Sequence, residues 1–153
     1  ITGPGEYEIG GAFITGVRTT ASNAEEVANP PPENTAYVIE YESASVCHLG
    51  DLSAIPAQPQ VEALGTVNVL LVPVGGGQGL NAAQAAEIIS LIQPSIVVPM
   101  HYKSGKNKLK LDPLSRFLKE MGLGNVQPEP NLKVTKANLP EETQVVVLGP
   151  KGG

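Results

Sequence analysis

Tryptophan is absent from this chain of 153 residues, and phenylalanine occurs only twice. Cysteine occurs once, as Cys47, so no intrachain disulfide can form and nothing marks a disulfide-stapled secreted scaffold. No apolar run approaches the roughly 20 residues that a membrane-spanning helix needs, and no secretory leader pattern is visible. Positive charge is scarce as well. Ten Lys and Arg face fifteen Asp and Glu, a net charge of −5, which leaves no basic stripe to neutralise phosphates. These scarcities set three expectations: a cytoplasmic location, no nucleic-acid partner and no membrane partner. The length suits one domain over residues 1–153. The chain opens at Ile1 without an initiator Met, from which it is expected to be a processed product or a piece of something longer.

What is plentiful is punctuation, with 17 glycines and 14 prolines. "GGAFITGVRTT" reads as a strand bounded by glycines. "ASNAEEVANPPPEN" reads as a loop, because Pro30 to Pro32 remove backbone donors and fix φ. "TAYVIEY" and "ASVCHL" read as strands paired across Glu42 and Ser43, and "PQVEALG" as a short helix ended by Gly65. "VNVLLVPV" is continuously apolar, as a strand buried on both faces should be. A helix follows, with Asn81 as N-cap, Gln84 completing a capping box, and Ala85, Ile88, Ile89 and Ile92 on one face. Pro94 ends it, and "SIVVPMH" is a second buried strand, so the unit is βαβ. In "LDPLSRFLKEMG", Asp112 is expected to cap a helix, Pro113 to occupy its first turn and Gly122 to end it. Leu114, Phe117, Leu118 and Met121 then share one face. "TQVVVLG" reads as a last strand.

Three loops follow apolar strands: Asp51 after "ASVCHL", Gly75, Gly76 and Gly77 after "VNVLLVPV", and His101 after "SIVVPM". In parallel α/β architecture the carboxyl ends of neighbouring strands lie along one edge, where ligands bind. Asp51 and His101 are therefore expected to face one crevice, with the glycines allowing backbone to approach a ligand. A carboxylate and an imidazole suit zinc, iron or manganese. Two ligands fall short of the three that a catalytic zinc site usually takes from protein, and Asp51 alone could equally cap a turn. His48 has two readings, a group that orients Asp51 or an ordinary half-buried histidine. Cys47 reads as a small core residue. Four of the ten basic residues, Lys103, Lys106, Lys108 and Lys110, form a loop that is either simply solvated or attracts anions.

Other motifs fail. "GGGQGLNAA" has no Lys-Ser/Thr pair for a phosphate loop, and Leu80 stands where a dinucleotide fingerprint needs its third glycine. Ser45, Ser53 and Ser104 lack a nucleophile-elbow context. Glu25 and Glu26 have no partner pattern for acid–base work.

Taken together and in order, "GPGEYEIGGAFITGVRT", "NTAYVIEY", "VCHLGDL", "VNVLLVPVGGG", "LNAAQAAEIISLIQPSIVVPMHYK" and "LPEETQVVVL" resemble the metallo-β-lactamase superfamily, in particular its small bacterial metal-dependent hydrolase-like proteins. The resemblance implies an α/β fold, the αββα sandwich, here mainly its C-terminal half: a mixed sheet with helices on one face. It implies a mono- or dinuclear metal site, commonly zinc, and hydrolysis of an ester, lactone, amide or phosphodiester through a metal-bound hydroxide. Asp51 then corresponds to the bridging aspartate and His101 to the last histidine ligand. The family's His-x-His-x-Asp-His cluster precedes the segment at which this chain starts. Thr20, Ala21, Ser22 and Asn23 stand where a further histidine usually follows. The resemblance thus implies a domain truncated at its N-terminus, with an apolar sheet face left open. Two functional expectations follow. One is a metal-dependent hydrolase completed by its missing N-terminal half. The other is an incompetent remnant that acts as a homodimerising or partner-binding module.

Overall fold

A computed structural model describes residues 1–20, 33–105 and 107–150. Most of the proline-rich loop expected over 21–34 lies outside the described residues, including Ala21, Ser22, Asn23, Glu25, Glu26 and Pro30 to Pro32, and so does Lys106.

Seven strands form one sheet in chain order. The first half is built from hairpins. β1 (Gly5–Ile9) pairs antiparallel with β2 (Ala12–Thr19), β2 with β3 (Asn34–Tyr41), and β3 with β4 (Ala44–His48). Gly10 and Gly11 join β1 to β2 with φ of 57° and 81°, the left-handed pair that a tight two-residue hairpin needs. β1 is absent from the sequence reading, although Glu6-Tyr7-Glu8-Ile9 alternates before a Gly-Gly turn. Glu42 and Ser43 take the same kind of turn at φ of 46° and 69°, as the pairing across them requires.

The second half is parallel. β4 pairs with β5 (Val69–Pro73), β5 with β6 (Ile96–Met100), and β6 with β7 (Gln144–Val145). Each parallel step needs a crossover, supplied by α1 (Gln58–Ala63), α2 (Ala82–Ile92) and α3 (Leu114–Glu120). Because the strands follow in order, crossovers of one hand deliver all three helices to the same face. The core records this. Val38, Cys47, Leu70, Val72, Val97 and Val145 point to the helix side and meet Leu64, Ala85, Ile88, Ile89, Phe117 and Leu118. Their alternates Val69, Ile96, Val98 and Val146 point the other way and meet Leu132, Val134 and Leu139 of the tail. The mixed sheet with helices on one face is thus the expected α/β arrangement.

The uncovered apolar face expected from the sequence is only partly present. The tail covers the parallel strands, whereas over the antiparallel strands Ile9, Ile39 and Tyr41 stay exposed at 57%, 37% and 52%.

The expected helix signals hold in α2, where Asn81 Oδ1 accepts from the Gln84 amide at 2.9 Å and Gln84 Oε1 accepts from the Asn81 amide at 3.0 Å. Gln93 closes that helix in the left-handed region at φ 53°. The expected cap of α3 is not formed. Pro113 occupies the N-cap position without a side-chain bond, because Asp112 is engaged elsewhere: its amide donates to Gly75 O at 2.8 Å, and its carboxylate accepts from Arg116 at 2.9 Å. β7 is shorter than "TQVVVLG" suggests, although the Val146 amide still donates to Val97 O at 2.9 Å. No helix among the described residues is long and apolar enough to cross a membrane.

Two expectations follow from this packing. Phe117 has no exposed surface, so Phe117→Ala should cost about 3–5 kcal/mol, read as a lower urea midpoint at unchanged m-value. Burial pushes the Cys47 thiol up to about 12. A thiol reagent should therefore label Cys47 only as fast as the sheet opens, and mild denaturant should release the reaction.

Candidate metal-binding edge

The parallel pairing of β4, β5 and β6 brings three strand ends to one edge. β4 ends at His48, and the chain turns through Gly50 at φ 68° to present Asp51. β5 leads into Gly75, Gly76 and Gly77, and β6 leads into His101. His101 itself sits in the left-handed region at φ 53°, a conformation uncommon for a residue with a Cβ and one that collects at functional sites. The result is the convergence expected from strand order: His101 Nδ1 lies 3.9 Å from Asp51 Oδ1. Both side chains reach solvent, with 42% of the imidazole and 78% of the carboxylate exposed.

The turn that carries Asp51 is held by Asn34, which the sequence reading did not assign, and by His48. The Asp51 amide donates to Asn34 Oδ1 at 3.1 Å, and Asn34 Nδ2 donates to Leu49 O at 2.7 Å and to Thr19 Oγ1 at 3.0 Å. His48 Nδ1 accepts from the Gly50 amide at 3.0 Å. His48 is exposed, and this bond braces the turn. Among the described residues no group of three or more His, Cys, Asp or Glu could hold a metal ion.

The glycine loop differs in detail from expectation. Gly75 and Gly76 are buried, and their missing side chains make room for the protein's own atoms. A Cβ on Gly75 would collide with the His101 carbonyl oxygen and lie 3.0 Å from Tyr102 Cα, and one on Gly76 would lie 3.3 Å from Asp112 Oδ2. Gly77 is exposed at φ 70°. The glycine beside the carboxylate is Gly79, where a Cβ would lie 3.8 Å from Asp51 Oδ1. This loop is tied to the Asp51 turn, because the Leu80 amide donates to Leu52 O at 3.1 Å and the Gly76 amide to Leu80 O at 2.8 Å. The sequence signal for Gly79 was its place in "GGGQG". The signal for Asn34 was a polar residue at the head of an otherwise apolar strand.

At the position marked for a further histidine, Thr20 is committed to structure. Its amide donates to Gln60 Oε1 at 2.9 Å and its hydroxyl accepts from Gln60 Nε2 at 2.8 Å, which ties the end of β2 to α1. Lys103, Lys108 and Lys110 are exposed on the loop after His101. That loop closes on itself through the Lys103 amide, which donates to Asp112 O at 2.9 Å.

Gly75→Ala should displace the 101–102 backbone. The expected outcome is a loss of about 1–3 kcal/mol of stability, measured by urea unfolding, together with shifted His101 imidazole resonances in two-dimensional NMR. Gly77→Ala, which meets only Leu111 Cδ2 at 3.4 Å and Lys110 O at 3.7 Å, should leave His101 in place.

Comparison with known proteins agrees with this fold. The profile described as "Beta-lactamase superfamily domain" matches residues 1–101. A UPF0173 protein of Pyrococcus furiosus is 40% identical over 98 residues, which make up 63% of this chain and 44% of that protein. A UPF0173 metal-dependent hydrolase of Methanopyrus kandleri is 31% identical over 126 residues, 78% of this chain and 54% of that protein. The chain therefore spans about half the length of the curated relatives it matches. Among solved structures, a Thermotoga maritima protein of the metallo-beta-lactamase superfamily superposes with a TM-score of 0.79 at 35% identity, covering 97% of this chain and 70% of that one. With a sheet whose carboxyl edge gathers Asp51 and His101, and a profile match over residues 1–101, the chain belongs to the metallo-β-lactamase superfamily.

Proposed function

We propose that this chain supplies one side of the site of a metal-dependent hydrolase acting on an ester, a lactone or a phosphodiester. The observation that supports the reading is the 3.9 Å separation of His101 Nδ1 and Asp51 Oδ1 at the carboxyl edge of three parallel strands. Two coordination bonds of about 2 Å each span such a gap, and the hard-to-borderline donor set fits zinc, with manganese or iron as alternatives. Relatives are named as metal-dependent hydrolases, and the Thermotoga structure is described as a "putative zn-dependent hydrolase".

Asp51 and His101 would hold the ion, which when bound supplies a Lewis acid to polarise the scissile carbonyl or phosphoryl group and to activate water. The chain's own residues set the geometry around it. Asp51 is presented on a hydrogen-bonded turn, His101 on a left-handed backbone, and Gly79 leaves the space beside the carboxylate free of a side chain.

Two protein ligands do not complete such a site, so the remaining donors come from outside the described residues. The exposed Ile9, Ile39 and Tyr41 on the open side of the antiparallel strands offer the surface on which that further part would sit, either more of the same polypeptide or a second copy in a homodimer. A lone buried thiol suits a cytoplasmic home.

Zinc titration of the purified chain by calorimetry tests the reading, with the oligomeric state followed by light scattering. Saturable zinc binding that His101→Ala weakens by at least about tenfold is the expected result. A dimer with no saturable zinc uptake would instead point to a binding module without a competent centre.

A further inference from the structure

We infer that Asn34 is the residue that positions Asp51, acting through its side-chain amide on the turn at residues 49–51. This inference rests on the reading of Asp51 as a metal ligand for its functional meaning, though the clamp itself is a matter of geometry. A single planar amide makes three bonds. Its oxygen accepts from the Asp51 amide at 3.1 Å, while its nitrogen donates to Leu49 O at 2.7 Å and to Thr19 Oγ1 at 3.0 Å. The two bonds to the turn bracket Gly50 on both sides, so neither peptide flanking Gly50 can rotate without losing a partner. Thr19, only 1% exposed, in turn donates its hydroxyl to Asn34 O at 3.1 Å. The amide plane is thus fixed from the buried side of the sheet. The fit leaves no slack, since a Cβ on Gly50 would lie 2.6 Å from Asn34 Oδ1 and 3.2 Å from Thr35 O. Gly50 is glycine for its φ of 68° and also for this close approach.

The side chain chemistry is specific. A turn with one free amide and one free carbonyl on the same side needs an acceptor and a donor a fixed distance apart, which Asn supplies in one rigid group and which neither Ser nor Asp can match in full. The hydrogen bond of Asn34 to Asp51 is to the backbone amide and not to the carboxylate, so Asn34 is a positioning residue and not a ligand.

The experiment compares wild type, Asn34→Ala, Asn34→Asp and Thr19→Val as purified full chains, with two readouts. The first is hydrogen exchange at the Asp51 amide, referenced to the Leu70 amide in the buried strand β5. Asn34→Ala should lose at least about tenfold protection at Asp51 in excess of any change at Leu70. Asn34→Asp, which keeps the acceptor but sets a carboxylate oxygen against Leu49 O, should lose protection too, whereas Thr19→Val, which keeps both bonds to the turn, should retain most of it and keeps the test open if the alanine form does not fold. The second readout is affinity for zinc alone. Asn34→Ala should bind roughly ten- to a hundredfold more weakly, the usual effect of removing a group that orients a ligand. Thr19→Val, which removes only the remote anchor, should lose stability with a smaller change in affinity.

Unchanged protection at Asp51 in Asn34→Ala, or equal loss in Thr19→Val, overturns the clamp. Lost protection with wild-type zinc affinity overturns the positioning role. If wild type itself takes up no zinc, the metal reading fails, and the amide exchange still decides for or against Asn34.

Discussion

Parallel pairing of β4 with β5 and of β5 with β6 is the constraint on which the rest depends. It is the register Cys47–Leu70–Val97 that sends three chain ends out of the same edge, and without it Asp51 and His101, fifty positions apart, would have no reason to meet. Parallel strands cannot be joined by tight turns. The crossovers that this pairing demands are also what bring α1, α2 and α3 onto one face and create the core around Leu70, Val72, Val97 and Phe117. Site and core therefore arise from one topological choice.

Around the pair, backbone conformation does more than electrostatics. Asp51 and His101 are both substantially exposed, so an ion pair between them adds little in water. What fixes them is left-handed backbone at Gly50 and His101, a carbonyl pressed against a glycine at position 75, and the side chains of His48 and Asn34 braced against a turn. The site is stiff where it is peptide and open where it is side chain, an arrangement that leaves the donor atoms free for a third party.

Much of this was legible in the residues. Continuous apolar runs announced β5 and β6, Asn81 with Gln84 announced α2, and three loops after three strands announced the edge. The illegible parts have physical causes. β1 carries Glu6 and Glu8 with Tyr7 and Ile9, and such a short, mostly exposed edge strand gives little hydrophobic signal. The cap predicted at Asp112 lost to a tertiary bond with Gly75 and to the Arg116 ion pair, which local patterning cannot anticipate. Gly75 and Gly76 were read as letting backbone approach a ligand, and what they admit within the chain itself is His101, Tyr102 and Asp112. Asn34 stayed hidden because its partners Thr19, Leu49 and Asp51 become neighbours only when β2, β3 and the end of β4 are assembled.

The bracing of Asp51 has a mechanical side. Its turn hangs from Asn34 at the head of β3, in the hairpin-built half of the sheet whose far face is partly bare. His101 leaves β6, in the half covered by helices on one face and by the tail on the other. The pair thus straddles a seam between a lightly clad lobe and a heavily clad one. Anything gripped by both side chains acts as a rivet across that seam, and by mass action its binding energy is returned as cohesion between the lobes. Conversely, fraying of the hairpin lobe would carry the carboxylate away from the imidazole, so the order of strands remote from the pair would set how tightly any such ion is held.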